Sequence, residues 1–432
     1  MTKLLSVPEF DIRSLPGPDT IHRAQTENGI TILVRENFSS PSVVISGILI
    51  CGSLDETPEQ ASLADLTASA LKTGTGSRSF NEIHEALESI GASLGIGSAT
   101  HSTSFRGKAL AADLPVVLEV LSDVLIHPAF PAEEFQRLKS EKLTGLAIRD
   151  QDTGAQAGIA FDALAYPEHP YGIPGDGSVE TVSALNRSDL IRFHNERYGP
   201  RGMIVAITGA IAAAEAEALV AQSLGIWSNP DRVQQPPLPA LAPRTGPARQ
   251  DVFLPGKYQS DLIIGIPGPS RYDPLYLAAS IGNSILGRFG LFGRIGDSVR
   301  EAEGLAYYSY SSVEGGPGPG PWKVSAGVNP ANIERAITLI TEELKRFISE
   351  PVTSEELLEN KTHFIGRLPL QLESNEGVAS ALLSMERYQL GLDYYQQYPQ
   401  AVQEVTADQI LAVARQYIDP GKLVVATAGS SE

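Results

Sequence analysis

The sequence predicts an α+β fold built twice: two homologous domains, each a mostly antiparallel sheet with helices packed on one face. Three observations lead there. A proline-rich spacer divides the chain into comparable parts, a set of landmarks recurs at the end of each part, and hairpin signals alternate with amphipathic helices.

The spacer runs from Ser228 to Arg249 and holds Pro230, Pro236, Pro237, Pro239, Pro243 and Pro247. So many fixed φ angles and missing N–H donors forbid a helix or a central strand and leave an extended, semi-rigid connection. The expected organisation is therefore a domain over 1–227, a linker over 228–249 and a domain over 250–432.

The landmarks are Asp189, Tyr198 and Gly202 followed by the apolar run Met203–Ile207, and then Asp408, Tyr417 and Gly421 followed by Leu423–Ala426. Each pair is 219 residues apart. In both copies an amphipathic helix leads through a glycine into a buried strand. The starts correspond too, SVVISGILICGSL at 42–54 resembling SDLIIGIPGPS at 260–270.

Along the first half, Asn28-Gly29 between two strand-like runs signals a type I′ hairpin. Strands are expected over 42–51, 92–98 and 101–110. Helices are expected over 62–73, 79–90, 113–126 and, opening at Pro131, 131–165. Leu114, Val117, Leu118, Leu121 and Leu125 stand at helical spacing and read as core. The EGGPGPGP run at 314–321 reads as a long hairpin turn.

Charge and cysteine content narrow the function. With 33 Lys+Arg against 51 Asp+Glu, a net charge of -18 argues against nucleic acid and against an anionic membrane surface. No run approaches the roughly 20 apolar residues of a membrane span. The single Cys51 excludes an internal disulfide and a multi-cysteine metal site. The first residues, MTKLLSVPEFDIRSLPG, lack the apolar core of a signal peptide. A soluble, cytoplasmic protein is expected.

The segment Ser62-Leu63-Ala64-Asp65-Leu66-Thr67-Ala68-Ser69-Ala70-Leu71-Lys72-Thr73-Gly74-Thr75 resembles, without a gap, the G-L-A-H-F-L-E-H-x-L-F-K-G-T signature of the insulinase/pitrilysin-like zinc metallopeptidases, the family of the mitochondrial processing peptidase. Together with the two-part organisation, the resemblance covers nearly the whole chain and implies that it forms half of a clamshell. The chemistry is missing. The family's H-x-x-E-H places two imidazoles one helical turn apart on zinc, with the glutamate as general base. Here those positions are Asp65, Ala68 and Ser69, and the third ligand falls near Leu146, beside Gly145. Asp65 keeps one oxygen donor. The histidines at 22, 84, 101, 127, 169, 194 and 363 form no local pair that could replace the set. No metal ligand and no catalytic residue is assigned to this chain.

In the second half Arg300-Glu301-Ala302-Glu303-Gly304-Leu305-Ala306-Tyr307 is similar to the family's R-E-x-x-G-L-A-Y segment, after a lead containing Ile285-Leu286-Gly287 and Arg294. The resemblance implies that Arg300 and Tyr307, seven residues apart, grip the substrate backbone. A guanidinium fork and a phenol can donate to a peptide carbonyl and to the oxyanion formed from it. The plainer alternative is an arginine paired with Glu301 or Glu303 on a solvated helix and an ordinary strand tyrosine. Glycines 287, 290, 293 and 296 lack the G-K-[ST] of a phosphate loop and read as a turn between helices.

The functional expectation is a non-catalytic subunit of a heterodimeric zinc metallopeptidase. It would supply Arg300 and Tyr307 to the zinc site of an H-x-x-E-H-bearing homologous partner in peptide hydrolysis. Zinc belongs to that partner, and no cofactor is expected in this chain. The alternative is an inert structural or peptide-binding scaffold of the same fold; for the chain without its partner, homodimer and monomer both stay open. A different enzyme mechanism finds little support: no G-x-S-x-G, reactive-cysteine or carboxylate-pair constellation stands out, and Cys51 lies in an apolar strand.

Overall fold

The structure is a computed structural model that describes residues 11–290 and 293–430. Residues 1–10, on which the expectation of no targeting segment partly rests, lie outside them. Eleven strands form two sheets. The first contains β1 (His22–Gln25), β2 (Thr31–Glu36), β3 (Ser42–Leu49), β4 (Ser93–Ser98), β5 (Thr103–Leu110) and β6 (Ile204–Gly209), in the order β1-β2-β6-β3-β5-β4. The second contains β7 (Ala248–Phe253), β8 (Ser260–Pro267), β9 (Ala306–Val313), β10 (Pro321–Val328) and β11 (Val424–Gly429), in the order β7-β11-β8-β10-β9. Apart from the extra edge β1, the two orders are the same. Each sheet is antiparallel except for one pair, β2–β6 in the first and β7–β11 in the second.

The duplication is visible to the residue, with an offset of 220 rather than 219. The helices Arg187–Arg197 and Ala407–Tyr417 start 220 residues apart, as do β6 and β11. Asp189 and Gln409 are the true equivalents: each is the third helical residue and closes a capping box, with Asn186 and Thr406 respectively. Asp408, one residue earlier, has no such role. Gly209 and Gly429 end the equivalent strands, where a Cβ would lie 2.3 Å from the Ser42 carbonyl oxygen and 2.0 Å from Ser260 Oγ.

Each sheet carries its own half's helices on its outer face. Leu63–Ala70, Leu114–Ile126, Arg187–Arg197 and Ala213–Ser223 build the core over the first sheet. Tyr276–Gly287, Ile333–Ser349 and Ala407–Tyr417 build the core over the second. Each inner face is covered by a helix from the other half. The expected 131–165 helix is two, Ala132–Arg149 and Thr153–Ala165. It breaks because the Asp152 side chain accepts from Ala155 N at 2.7 Å and caps a new helix. That second helix crosses to β7, β8 and β11, packing Ala157, Ala160 and Phe161 on Ile263, Val424 and Ala426. Reciprocally, Asn375–Arg387 lays Val378, Leu382 and Met385 on Val44, Ile204 and Ala206 of the first sheet. Leu382 is fully buried there, so Leu382→Ala should cost about 3 kcal/mol in a denaturant titration. A change below about 1 kcal/mol would mean that the exchanged helix packs loosely.

Two turns complete the comparison. The 28–29 hairpin forms, but only Gly29 has a positive φ, at +90°, so the turn is not type I′. The Asn28 amide is drawn away instead, donating to the carbonyls of Leu224 and Trp227. The 314–321 run joins β9 to β10 as expected.

Candidate functional site

The degenerate motif lies on Leu63–Ala70, against β4 and the helices Arg187–Arg197 and Ala132–Arg149. Ser62 enters it at φ +88° and does not cap it. The Glu56 carboxylate does, accepting from Ser62 N at 3.2 Å and Ala64 N at 2.8 Å. Burial pushes the Glu56 carboxyl up to about 8, against the pull of those N–H groups. One turn in, the Asp65 carboxylate accepts from Lys142 Nζ at 2.8 Å. Ala68 is buried and has no polar group, Ser69 is exposed, and Leu146 is 2 % exposed within the core.

These residues do not fit zinc. The one oxygen donor is already neutralised by an ammonium, the nearby Glu56 carboxyl is spent on the N–H groups at the helix start, and Ala68, Ser69 and Leu146 offer neither imidazole nor carboxylate where the family has its base and other ligands. Five of the seven histidines are engaged elsewhere: His194 with the Leu125 carbonyl, His84 with Phe80, His22 with Glu217, His169 with Pro239 and His101 with Tyr171. Among the described residues no group of three His, Cys, Asp or Glu side chains is placed to hold a metal. The purified, dialysed chain should therefore carry far less than one zinc per molecule in elemental analysis. A stoichiometric, tightly held zinc would overturn this.

Arg300 and Tyr307 are set by the segment that follows Tyr276–Gly287. Gly293 restarts the helix at φ +58°, where a Cβ would lie 2.5 Å from the Ile285 carbonyl oxygen. Arg294, 8 % exposed, is clamped by Glu356 through two bonds of 2.6 and 2.8 Å and lies 3.7 Å from Glu343. On this anchor the chain winds a turn of π-helix, Gly296–Glu301, that carries Arg300. The Arg300 side chain is about one-third exposed and stands 3.8 Å from Glu301, whereas Glu303 pairs with Arg335 at 2.8 Å.

Tyr307 is the second residue of the edge strand β9 and is 83 % exposed. It owes this to a β-bulge. Ala306 pairs with Val328 and Tyr308 with the adjacent Gly327, so Tyr307 has no partner residue on β10. The extra residue sends Ala306 into the outer core and Tyr308 to the inner face. There the Tyr308 hydroxyl donates to Asp261 on β8, and Thr153 donates to the other oxygen of the same carboxylate. Gly327 lets the Tyr308 ring lie across it: a Cβ there would be 2.5 Å from the ring.

The structure thus places Arg300 and Tyr307 at the two ends of one turn, both reachable from solvent, with Tyr307 held out by a bulge. Asp65, Ser69 and Leu146 lie on one pair of packed helices, the positions to which the resemblance assigns the ligands, without assembling a site. Sequence reading missed Lys142, Glu56 and the Asp261 junction. A charged residue inside the apolar run SDLIIGIP was the signal for the last, since a buried carboxylate needs donors. Cys51 is buried, which pushes its thiol up and away from reactivity.

Comparison with known proteins agrees with this description. The family model described as insulinase (peptidase family M16) matches residues 32–153, and that described as the peptidase M16 inactive domain matches residues 184–364. An uncharacterized zinc protease of Mycobacterium leprae is 28% identical over 372 residues, 85% of this chain and 82% of its own length. Cytochrome b-c1 complex subunit 1 of mouse mitochondria is 26% identical over 294 residues, 66% of this chain and 57% of its own. The crystal structure of a peptidase M16 inactive domain from Pseudomonas fluorescens matches with a TM-score of 0.88 at 25% identity, covering 95% of this chain and 98% of that one.

Proposed function

The chain belongs to the insulinase family of peptidases (peptidase family M16), and from that premise we propose that it is a non-catalytic subunit presenting Arg300 and Tyr307 to a peptide bound at the zinc of a homologous, H-x-x-E-H-bearing partner. It lacks the family's catalytic motif, since Asp65, Ala68 and Ser69 stand in its place. The observation that carries the reading is the bulged, 83 % exposed Tyr307 at the end of the turn that begins with Arg300. A tyrosine kept only for packing would be buried. This one extends its phenol into solvent from the edge strand β9.

In this reading the guanidinium of Arg300 donates to substrate carbonyls and fixes the backbone, while the Tyr307 hydroxyl donates to the oxyanion as the scissile carbonyl is attacked. Water activation is left to the partner. The proposal includes a cytoplasmic setting; no described helix is long and apolar enough to cross a membrane. The test is peptide hydrolysis by this chain alone, by the H-x-x-E-H chain alone and by the two together. Activity is expected only, or at least tenfold higher, in the mixture. Hydrolysis by this chain alone, or no gain on mixing, would sink the proposal.

A second reading has one observation in its favour. The relatives include a subunit of the mitochondrial cytochrome b-c1 complex, which supports a scaffold role for the same fold. The same mixing experiment separates the two, because a scaffold contributes assembly without rate.

A further inference from the structure

In the second half a cavity of about 300 Å³ is lined by the packed helices Tyr276–Gly287 and Ser354–Gln371, with Val313 at the end of β9. Its place in the duplication is informative. Ser354–Gln371 and Ala132–Arg149 begin 222 residues apart, as do the exchanged helices that follow them, Asn375–Arg387 and Thr153–Ala165. One wall is therefore the counterpart of the helix that carries Lys142 and Leu146, and Arg367 stands where that helix has Gly145. Neither Arg300 nor Tyr307 lines the cavity.

Its chemistry is one-sided. Arg288 and Arg367 line it, and no aspartate or glutamate does. Among the described arginines only Arg201, Arg288 and Arg367 have no hydrogen bond, ion pair or ring contact, and two of these three line this one cavity. Both stand near helix C-termini, which favour cations, but the helix dipole does not account for the neutral donors beside them. Ser284 lines the cavity and is only 4 % exposed, and its hydroxyl has no hydrogen-bond partner. That hydroxyl is not among the unpartnered polar atoms sealed from solvent, so the surface it keeps is the cavity wall. Asn283, equally buried, donates to the Ser311 carbonyl at 3.3 Å and accepts from Trp322 Nε1 at 3.1 Å, which leaves one amide N–H over. Burial, then the charge of Arg367, lowers the His363 imidazole, so at neutral pH it is mostly uncharged and can still donate one N–H.

Two guanidinium forks, a buried hydroxyl and a spare amide N–H are more donors than the two oxygens of a carboxylate can use. They suit a phosphate group, which brings three accepting oxygens and a charge of about −1.5 to −2 at neutral pH. The volume lies at the small end of the range for ligand pockets. We infer that this cavity binds a phosphate group, as the free ion or as the monoester of a small molecule, with Arg288 and Arg367 as its charged partners and Ser284 as a neutral donor. The rings of His363 and Phe364 in the wall offer an ester group an apolar surface. The site is independent of the peptidase reading and stands or falls without a partner chain.

Calorimetric titration of the full chain at constant ionic strength, in a phosphate-free buffer, tests it with inorganic phosphate, phenyl phosphate and benzoate. At least one phosphate probe should bind, at least tenfold tighter than benzoate. Inorganic phosphate binding no weaker than phenyl phosphate assigns the free ion, and tighter binding of phenyl phosphate assigns a monoester. Arg288→Gln and Arg367→Gln should each weaken the bound probe at least tenfold and leave the melting temperature unlowered, because neither guanidinium holds a contact that the fold uses. Ser284→Ala should weaken it at least threefold. Arg201→Gln removes the same charge outside the cavity and should leave the affinity as it is. No phosphate binding at millimolar concentration, benzoate binding as tightly as the phosphates, affinity unchanged in both Arg288→Gln and Arg367→Gln, or an equal loss in Arg201→Gln would overturn the assignment.

Discussion

Tyr307→Phe should lower the turnover of the assembled peptidase by roughly 10²–10³-fold, the usual consequence of removing one oxyanion donor. The substitution deletes a single hydroxyl from a side chain that is 83 % exposed, so neither the fold nor assembly has reason to change. The loss should appear in kcat, since the oxyanion exists only after attack and the donor has little to bind beforehand. Arg300→Ala should instead act mainly on KM, because a guanidinium that fixes substrate carbonyls does so in both ground and transition states. Arg300→Lys should rescue only in part, since a point charge cannot reproduce a planar fork. The measurement is steady-state hydrolysis at equal concentrations of the assembled pair. Unchanged rates in both Tyr307→Phe and Arg300→Ala would return the two residues to the plainer alternative and leave the chain a scaffold.

Arg294→Met should destabilise the protein by about 3–5 kcal/mol, the range for removing one partner of a buried ion pair. Arg294 stands against Glu356 and Glu343, and Glu343 is itself only 6 % exposed. Burial raises the Glu343 carboxyl, with Arg346 and Arg294 opposing, so deleting the arginine leaves a costly charge behind. The effect has a pH signature. Burial alone would raise Glu356, but hydrogen bonds from Arg294 and from the Thr353 cap overcome it and hold that carboxyl at about 2. A depressed carboxyl contributes stability that is present above its unfolded value, about 4.3, and is lost as pH falls toward 2. The gap between wild type and variant should therefore be widest near neutrality and close progressively between about pH 4.5 and 2. Urea titrations at several pH values would show it; a gap that stays constant would mean that Glu356 is not what Arg294 supports. The same variant should lose Arg300 function, because the π-turn carrying Arg300 is wound directly after this anchor.

The fold was legible wherever side-chain periodicity reports a local fact. The 62–73, 79–90 and 113–126 helices and the 42–51, 92–98 and 101–110 strands all appear within a few residues of expectation, because an amphipathic face or a buried run fixes them. The duplication was legible as well, yet its register slipped by one. Identical letters drew Asp189 toward Asp408, whereas the capping-box role had passed to Gln409. The break at Asp152 was hidden because its cause is a single capping bond within a continuous helical pattern. The site was half legible. Loss of the zinc ligands is written in the sequence, but Lys142 answering Asp65 depends on which faces of two helices meet. That Tyr307 would be exposed depends on a bulge created by pairing with β10, some twenty residues away, and no local pattern encodes it.

The exchange of inner-face helices has a consequence for the order in which the chain can mature. The first sheet is complete once Gly209 has been made, but the helix that covers its inner face begins only at Asn375. At the ~5–20 residues per second of synthesis, that interval lasts roughly 10–30 s, during which Leu33, Val44, Ile48 and Ala206 face water or a chaperone. The amino-terminal half is therefore not a self-sufficient translation product, and ribosomal release at the proline spacer should yield an aggregating fragment. Two fragments severed within 228–247 but synthesised together should assemble, because each contributes the lid the other is waiting for.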